Sequence, residues 1–128
     1  MPVFCEGINN SLAPVETLST LDGTSYSLGS VTYKCNLSGG FTRTISSGNG
    51  GTLNGPGSGT IPYTLAHGGG SGLGFSHTQL TSPKVTALGG SAAFVAGQTG
   101  SVSAAATAGS GLFAGAYDDV VTIAVVGN

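Results

Sequence analysis

Apolar residues recur at every second position along most of this chain and almost nowhere at the three- and four-residue spacing of a helix. Val31, Tyr33 and Cys35 alternate with Thr32 and Lys34, and Phe41, Arg43 and Ile45 alternate with Thr42 and Thr44. Each run predicts a half-buried strand with one face toward a core, and the first places Cys35 on that face. Ile61, Tyr63 and Leu65 share one face of a third run, residues 60–65, in which Pro62 marks a strand start or a sheet edge because it has no N–H to donate. Residues 75–80, 84–88, 92–96 and 101–107 predict four further short strands. In the last of these, Val102 fits alternation and Gly100 and Gly109 bracket the three alanines, so strand is preferred over helix. The breaks between runs are dense in glycine: Ser47-Gly48-Asn49-Gly50-Gly51, Gly55-Pro56-Gly57-Ser58-Gly59, residues 67–74, Gly89-Gly90 and Gly97-Gln98-Thr99-Gly100. The Asn-Gly in the first cluster predicts a hairpin or loop that reverses the chain.

The final run departs from simple alternation. Tyr117, Asp119, Val121, Ile123 and Val125 alternate with Asp118, Val120, Thr122, Ala124 and Val126, so both faces are largely apolar. A strand of this kind is either a central one covered on both faces or one that flanks a groove awaiting a strand from another molecule. Periodicity does not choose between the two.

Composition narrows the class. A length of 128 residues fits one domain, taken as residues 1–128. With 24 glycines the chain would read as low complexity, but 39% hydrophobic residues are too many for a self-solvating tail. A turn-rich all-β domain reconciles the two. Three basic residues and a net charge of −2 offer no stripe for a phosphate backbone, which excludes nucleic acid as a partner. No apolar stretch is long enough to insert in a membrane as a helix. Cys5 and Cys35 pair in only one way, and an even count in a small, turn-rich chain favours an oxidising compartment. Two buried free thiols are the rival reading. The pair is expected to join the layers of the sandwich. Met1-Pro2-Val3-Phe4 lacks the charged start and apolar stretch of a secretory signal, so the expectation is that a signal has been removed ahead of it.

The closing run Gly115-Ala116-Tyr117-Asp118-Asp119-Val120-Val121-Thr122-Ile123-Ala124-Val125 resembles the terminal strand of the spore coat U domain family, which includes subunits of archaic, Csu-type chaperone–usher pili. Three further features agree with that family's pattern: an early Cys5, a second cysteine ending Val31-Thr32-Tyr33-Lys34-Cys35, and Ile61-Pro62-Tyr63-Thr64-Leu65 after a Gly/Ser-rich turn. Gly127 stands where the family usually has an aromatic, and His67-Gly68-Gly69-Gly70 replaces its charged stretch. The resemblance implies an incomplete, immunoglobulin-like, pilin-type β-sandwich of about six strands with one disulfide. It also implies a periplasmic chaperone that lends the missing strand, an outer-membrane usher, and neighbouring subunits that replace the chaperone through N-terminal arms. Such a chain is secreted through the periplasm to the cell surface, as part of a pilus or fimbrium. A donor arm of about ten residues spans roughly 33 Å, more than the residues ahead of Cys5 supply, so the arm has been removed or the chain is a tip domain that never donates.

Candidate chemistry is sparse, and no catalytic residue is proposed. His67 and His77 are close enough in sequence to reach one another, but no third ligand stands at zinc spacing. Asp118 and Asp119 point to opposite faces of a strand and are read as its structural start. No metal and no cofactor is expected. The reading that follows is a structural or tip-adhesive pilus subunit acting in surface attachment and biofilm formation. Its assembly strand is Tyr117, Asp119, Val121, Ile123 and Val125, and Leu73, Phe75, Leu112 and Phe113 beside glycines are candidates for adhesive loops, the alternative being that these four residues fill the core. The alternatives are a small extracellular carbohydrate-binding module and a coat or capsid-decoration protein.

Overall fold

A computed structural model describes residues 1–10, 15–16, 25–106, 109 and 111–128. Two antiparallel sheets face each other, an all-β sandwich-like fold. Eleven strands are described: β1 (Cys5–Asn10), β2 (Val15–Glu16), β3 (Tyr26–Cys35), β4 (Phe41–Ser47), β5 (Thr52–Asn54), β6 (Thr60–His67), β7 (Phe75–Thr78), β8 (Lys84–Leu88), β9 (Gln98–Ala106), β10 (Asp118–Asp119) and β11 (Val121–Gly127). The larger sheet runs β1-β3-β9-β6-β5-β10-β2, with β7 also paired to β6, and the smaller runs β11-β4-β8. The count exceeds the six strands expected because short strands such as β2, β5 and β10 pair over only two or three residues.

Alternation placed the core correctly. Val31, Tyr33, Tyr63, Leu65, Val102 and Ala104 come from the larger sheet and Phe41 and Ile45 from the smaller, and all are buried. Tyr33 stacks on Phe41 across the layers, with centroids 5.9 Å apart and planes 13° apart. Pro62 lies near the start of β6, where the strand is still paired with β5 through Thr52. Of the strand read at residues 101–107, Thr107 lies outside the described residues.

Two expectations are corrected. Ala92–Ala96 is a single helical turn, α1, and not a strand. Alanine favours helix, Gly97 takes a φ of 108° just after it, and the turn directs Phe94 alone into the core, edge-on to Phe41 at 4.9 Å. The Gly97–Gly100 turn is mostly strand, because Gly100 belongs to β9 opposite Val31. A Cβ there would lie 2.3 Å from a ring carbon of His67, so this glycine makes room for a side chain and does not mark a bend. At Gly48–Gly51, of the hairpin or loop expected, the hairpin is ruled out and the loop is found, since β4 and β5 belong to different sheets. It crosses from one layer to the other, with Gly50 and Gly51 at φ of 67° and 87°.

The two cysteines form a disulfide, but within the larger sheet and not between layers. Cys5 on β1 is directly opposite Cys35 on β3, with Cα atoms 4.0 Å apart. Among the described residues no helix is long and apolar enough to cross a membrane.

Candidate functional site

The last strand is divided at Val120. Asp118 and Asp119 pair with β2 and β5 in the larger sheet, and the chain then passes to the smaller sheet, where Val121–Gly127 pairs with β4 in unbroken register from Val121↔Ser47 to Gly127↔Phe41. Among the described residues β11 has no partner on its other side. Among the described residues β11 is thus an edge strand of the smaller sheet and not a central one. The outward face is bare, with Val120 and Val126 66% and 65% exposed. The inward residues Val121, Ile123 and Val125 pack against the core yet stay only half-buried.

What covers them in part is β1, the edge of the opposite sheet. Its backbone runs within 8 Å of β11 without pairing to it. Val125 Cγ2 lies 3.2 Å from the place a Cβ on Gly7 would take, and Gly127 meets Cys5 in the same way at 3.6 Å. Two sheet edges thus lie side by side, each with a row of backbone groups that no strand among the described residues satisfies.

The turn from larger to smaller sheet is fixed by Asp119, which is 3% exposed. Its Oδ2 accepts hydrogen bonds from the hydroxyls of Ser47 and Tyr63, and its Oδ1 accepts from the backbone N–H of Asn49 at 3.0 Å and of Val120 at 2.7 Å. Ser47 Oγ in turn accepts from Gly51 N–H at 2.8 Å. One carboxylate therefore ties β4, β6, the β4–β5 crossing and the root of β11 together. Burial, reinforced by the neighbouring Asp119, pushes the Tyr63 phenol well above its usual range, so it remains a donor. Tyr117 is buried beside this joint and donates to the carbonyl of Phe113 at 2.6 Å. Asp118 is exposed, in keeping with the alternation of a strand.

A second buried polar cluster lies at the far end of β6. Arg43 is 1% exposed, with its guanidinium 5.6 Å and 5.5 Å from the ring centroids of Tyr33 and Phe75. It donates to the carbonyl of Leu73 at 2.9 Å, and its Nε has no partner. His67 Nδ1 sits 2.6 Å from the carbonyl of Gly68 and must donate to it, which leaves Nε2 to accept from Tyr33 Oη at 2.9 Å. A neutral imidazole satisfies both bonds. Burial and the nearby Arg43 hold His67 below the usual histidine range, against the opposing pull of the Gly68 carbonyl. The unfolded chain therefore takes up a proton first as pH falls, and stability drops through the window below the ordinary value of about 6.5. The unfolding free energy from denaturant titration is expected to fall between about pH 7 and about pH 5, by at most about 1.4 kcal/mol per pH unit for one proton. In His67→Gln that slope should flatten; an unchanged slope would assign it to another group.

The loop residues divide. Leu73 is fully buried and, of the two readings, fills the core and presents nothing to solvent. Phe75 is half-buried between Arg43 and Lys84, whose Nζ is 4.9 Å from its centroid. Leu112 packs in part on the core, and Phe113 is 67% exposed against the open side of Gly57, where a Cβ would lie 2.5 Å from its ring. His67 and His77 do not meet as a pair: the first is buried against Tyr33, and the second bonds Thr64 Oγ1 at 3.1 Å on the exposed side. Among the described residues no cluster of three or more His, Cys, Asp or Glu is placed to hold a metal. The Asp119 joint and the Arg43–His67–Tyr33 cluster were not foreseen. The signal available in sequence was the inward position of Arg43, Tyr63 and Asp119 on otherwise apolar faces.

Comparison of the chain with protein-family models, with curated proteins and with solved structures finds no match.

Proposed function

We propose that this chain is a structural or adhesive subunit of a chaperone–usher type of surface fibre, completed by an extended strand that another chain adds to the free edge of β11. The observation that carries the reading is that, among the described residues, nothing pairs with or blunts that edge. β11 is seven residues long, has no charge and no proline, and runs in register without a bulge. Solitary proteins blunt such edges, because a flat apolar strand with open backbone groups recruits other strands. The opposite edge of the same sheet shows the contrast: β8 is five residues long, follows Pro83 and opens on Lys84. An added strand would satisfy β11's outer backbone groups and lay alternate side chains over Val121, Ile123 and Val125, the mode known as β-augmentation. Exposed Phe113 supports an adhesive element in the segment ahead of Tyr117, and a periplasmic chaperone, an usher and secretion to the cell surface belong to the same proposal.

The test is a synthetic peptide of about ten residues with valine or isoleucine at alternate positions, compared with a peptide of the same composition in scrambled order. The alternating peptide should raise the melting temperature in a concentration-dependent way, reaching about 2.7 kcal/mol at a hundredfold excess over Kd. The scrambled peptide should do nothing, and Ile123→Asp should abolish the effect. No stabilisation by alternating peptides of any register would remove the reading.

A further inference from the structure

The chain contains two Asn-Gly steps, Asn49-Gly50 and Asn54-Gly55, and the fold treats them in opposite ways. Succinimide chemistry at such a step requires the glycine nitrogen to lose its proton and attack the asparagine Cγ. A glycine N–H held in a good hydrogen bond and a crowded backbone both oppose this. At Gly55 the N–H donates to the Gly59 carbonyl at 3.0 Å, and the Tyr117 ring comes within 2.4 Å of the place a Cβ would occupy. At Gly50 the N–H reaches the Ser47 carbonyl only at 3.4 Å, beyond an ordinary N–H···O bond. Nothing lies within 4 Å of a Cβ there, and Asn49 itself is exposed.

We propose that Asn49 is a site of spontaneous, irreversible modification that loosens the root of the last strand, and that Asn54 is protected. In the first step the Gly50 nitrogen bonds to Asn49 Cγ, the Cγ–Nδ2 bond breaks and ammonia leaves, giving the cyclic imide. In the second, water adds to one of the imide carbonyls and opens the ring, giving aspartate or, through the other carbonyl, isoaspartate. No oxidant or reductant enters. The product meets an unfavourable setting. Asn49 Nδ2 donates to the Asp118 carbonyl at 3.1 Å, and its backbone N–H donates to Asp119 Oδ1 at 3.0 Å. A carboxylate in place of the amide turns the first bond into a repulsion between oxygens, beside two existing acids. Isoaspartate also lengthens the backbone by one methylene and pulls the second bond out of line. The inference stands on the crossing loop alone and is independent of which strand completes β11.

The experiment is peptide mapping by mass spectrometry of the full chain aged in warm, mildly alkaline buffer, alongside a sample kept denatured. In the folded chain modification at Asn49 should exceed that at Asn54 by roughly ten-fold, the effect of one well-made hydrogen bond and its attendant rigidity. In the denatured chain the two should agree within about two-fold, since both precede glycine. The aged folded protein should also melt lower than fresh protein, and Asn49→Gln should age without that loss. Equal modification at both sites in the folded chain, or faster modification at Asn54, overturns the proposal, as does an aged Asn49 product that melts like the fresh protein.

Discussion

Replacing Asp119 by alanine is expected to cost about 3–5 kcal/mol, a large part of what a domain of this size has. The estimate follows from what the carboxylate leaves behind. Four donors aim at it, two hydroxyls and two backbone N–H groups, in a place with almost no solvent. Each donor stranded without a partner costs about 1–3 kcal/mol, and the sum is reduced because Ser47 and Tyr63 can turn and water can enter. Urea titration of the purified variant measures the loss, and a change below about 1 kcal/mol would show that the joint is not what holds the root of β11. The graded variants separate hydrogen bonding from mere space. In Asp119→Asn the amide oxygen still accepts from Asn49 and Val120, while the amide nitrogen donates to the hydroxyl oxygens of Ser47 and Tyr63. That variant should lose only about 1–2 kcal/mol. Tyr63→Phe removes a single donor, leaves the other three satisfied, and should cost about 1 kcal/mol.

The same joint shows where sequence reading ended. Alternation put Tyr63 on one face with Ile61 and Leu65, and Asp119 on one face with Tyr117 and Val121 without saying which face is inward; both are buried. It was silent on their meeting, because they lie 56 residues apart and only the pairing of β10 with β5, and of β5 with β6, brings them together. Arg43 was placed on an apolar face by the same rule. Its actual surroundings, two aromatic rings and one carbonyl from a glycine-rich loop, depend on how residues 67–74 fold back. The local misreadings have local causes. Five residues with one large apolar side chain among small ones look alike as a strand or as one helical turn, and in Ala92–Ala96 only Phe94 is buried. Gly100 looked like a turn because sequence shows a missing side chain but not the His67 ring that fills its place. For β11 the two-faced apolar pattern was read correctly and its cause was left open; an edge strand with one bare face and one half-covered face produces the pattern as readily as a central strand does.

The remaining large effect belongs to the disulfide. Cys5 and Cys35 are 30 residues apart in sequence, and opening a loop of that size is expected to cost roughly 3–4 kcal/mol on the chain-entropy account. The loss should also be unevenly distributed. Among the described residues β1 is bonded to β3 alone, with a few contacts ahead of it, Phe4 N–H to Asn36 Oδ1 at 3.0 Å and Asn36 Nδ2 to the Pro2 carbonyl at 2.7 Å. An edge strand without its covalent tie is the first element to open, since its backbone bonds face solvent on one side. In the Cys5→Ser, Cys35→Ser double variant, hydrogen exchange should therefore accelerate in β1 well before it does in β4 or β6. The effect should extend to β11, because Gly7 and Cys5 lie against Val125 and Gly127, and their departure uncovers the inner face of the last strand. A variant that loses the expected stability with uniform acceleration over all strands would mean that the bond acts only on the unfolded chain. Faster exchange confined to β1 and β11 would mean that it also holds these two neighbouring sheet edges in place.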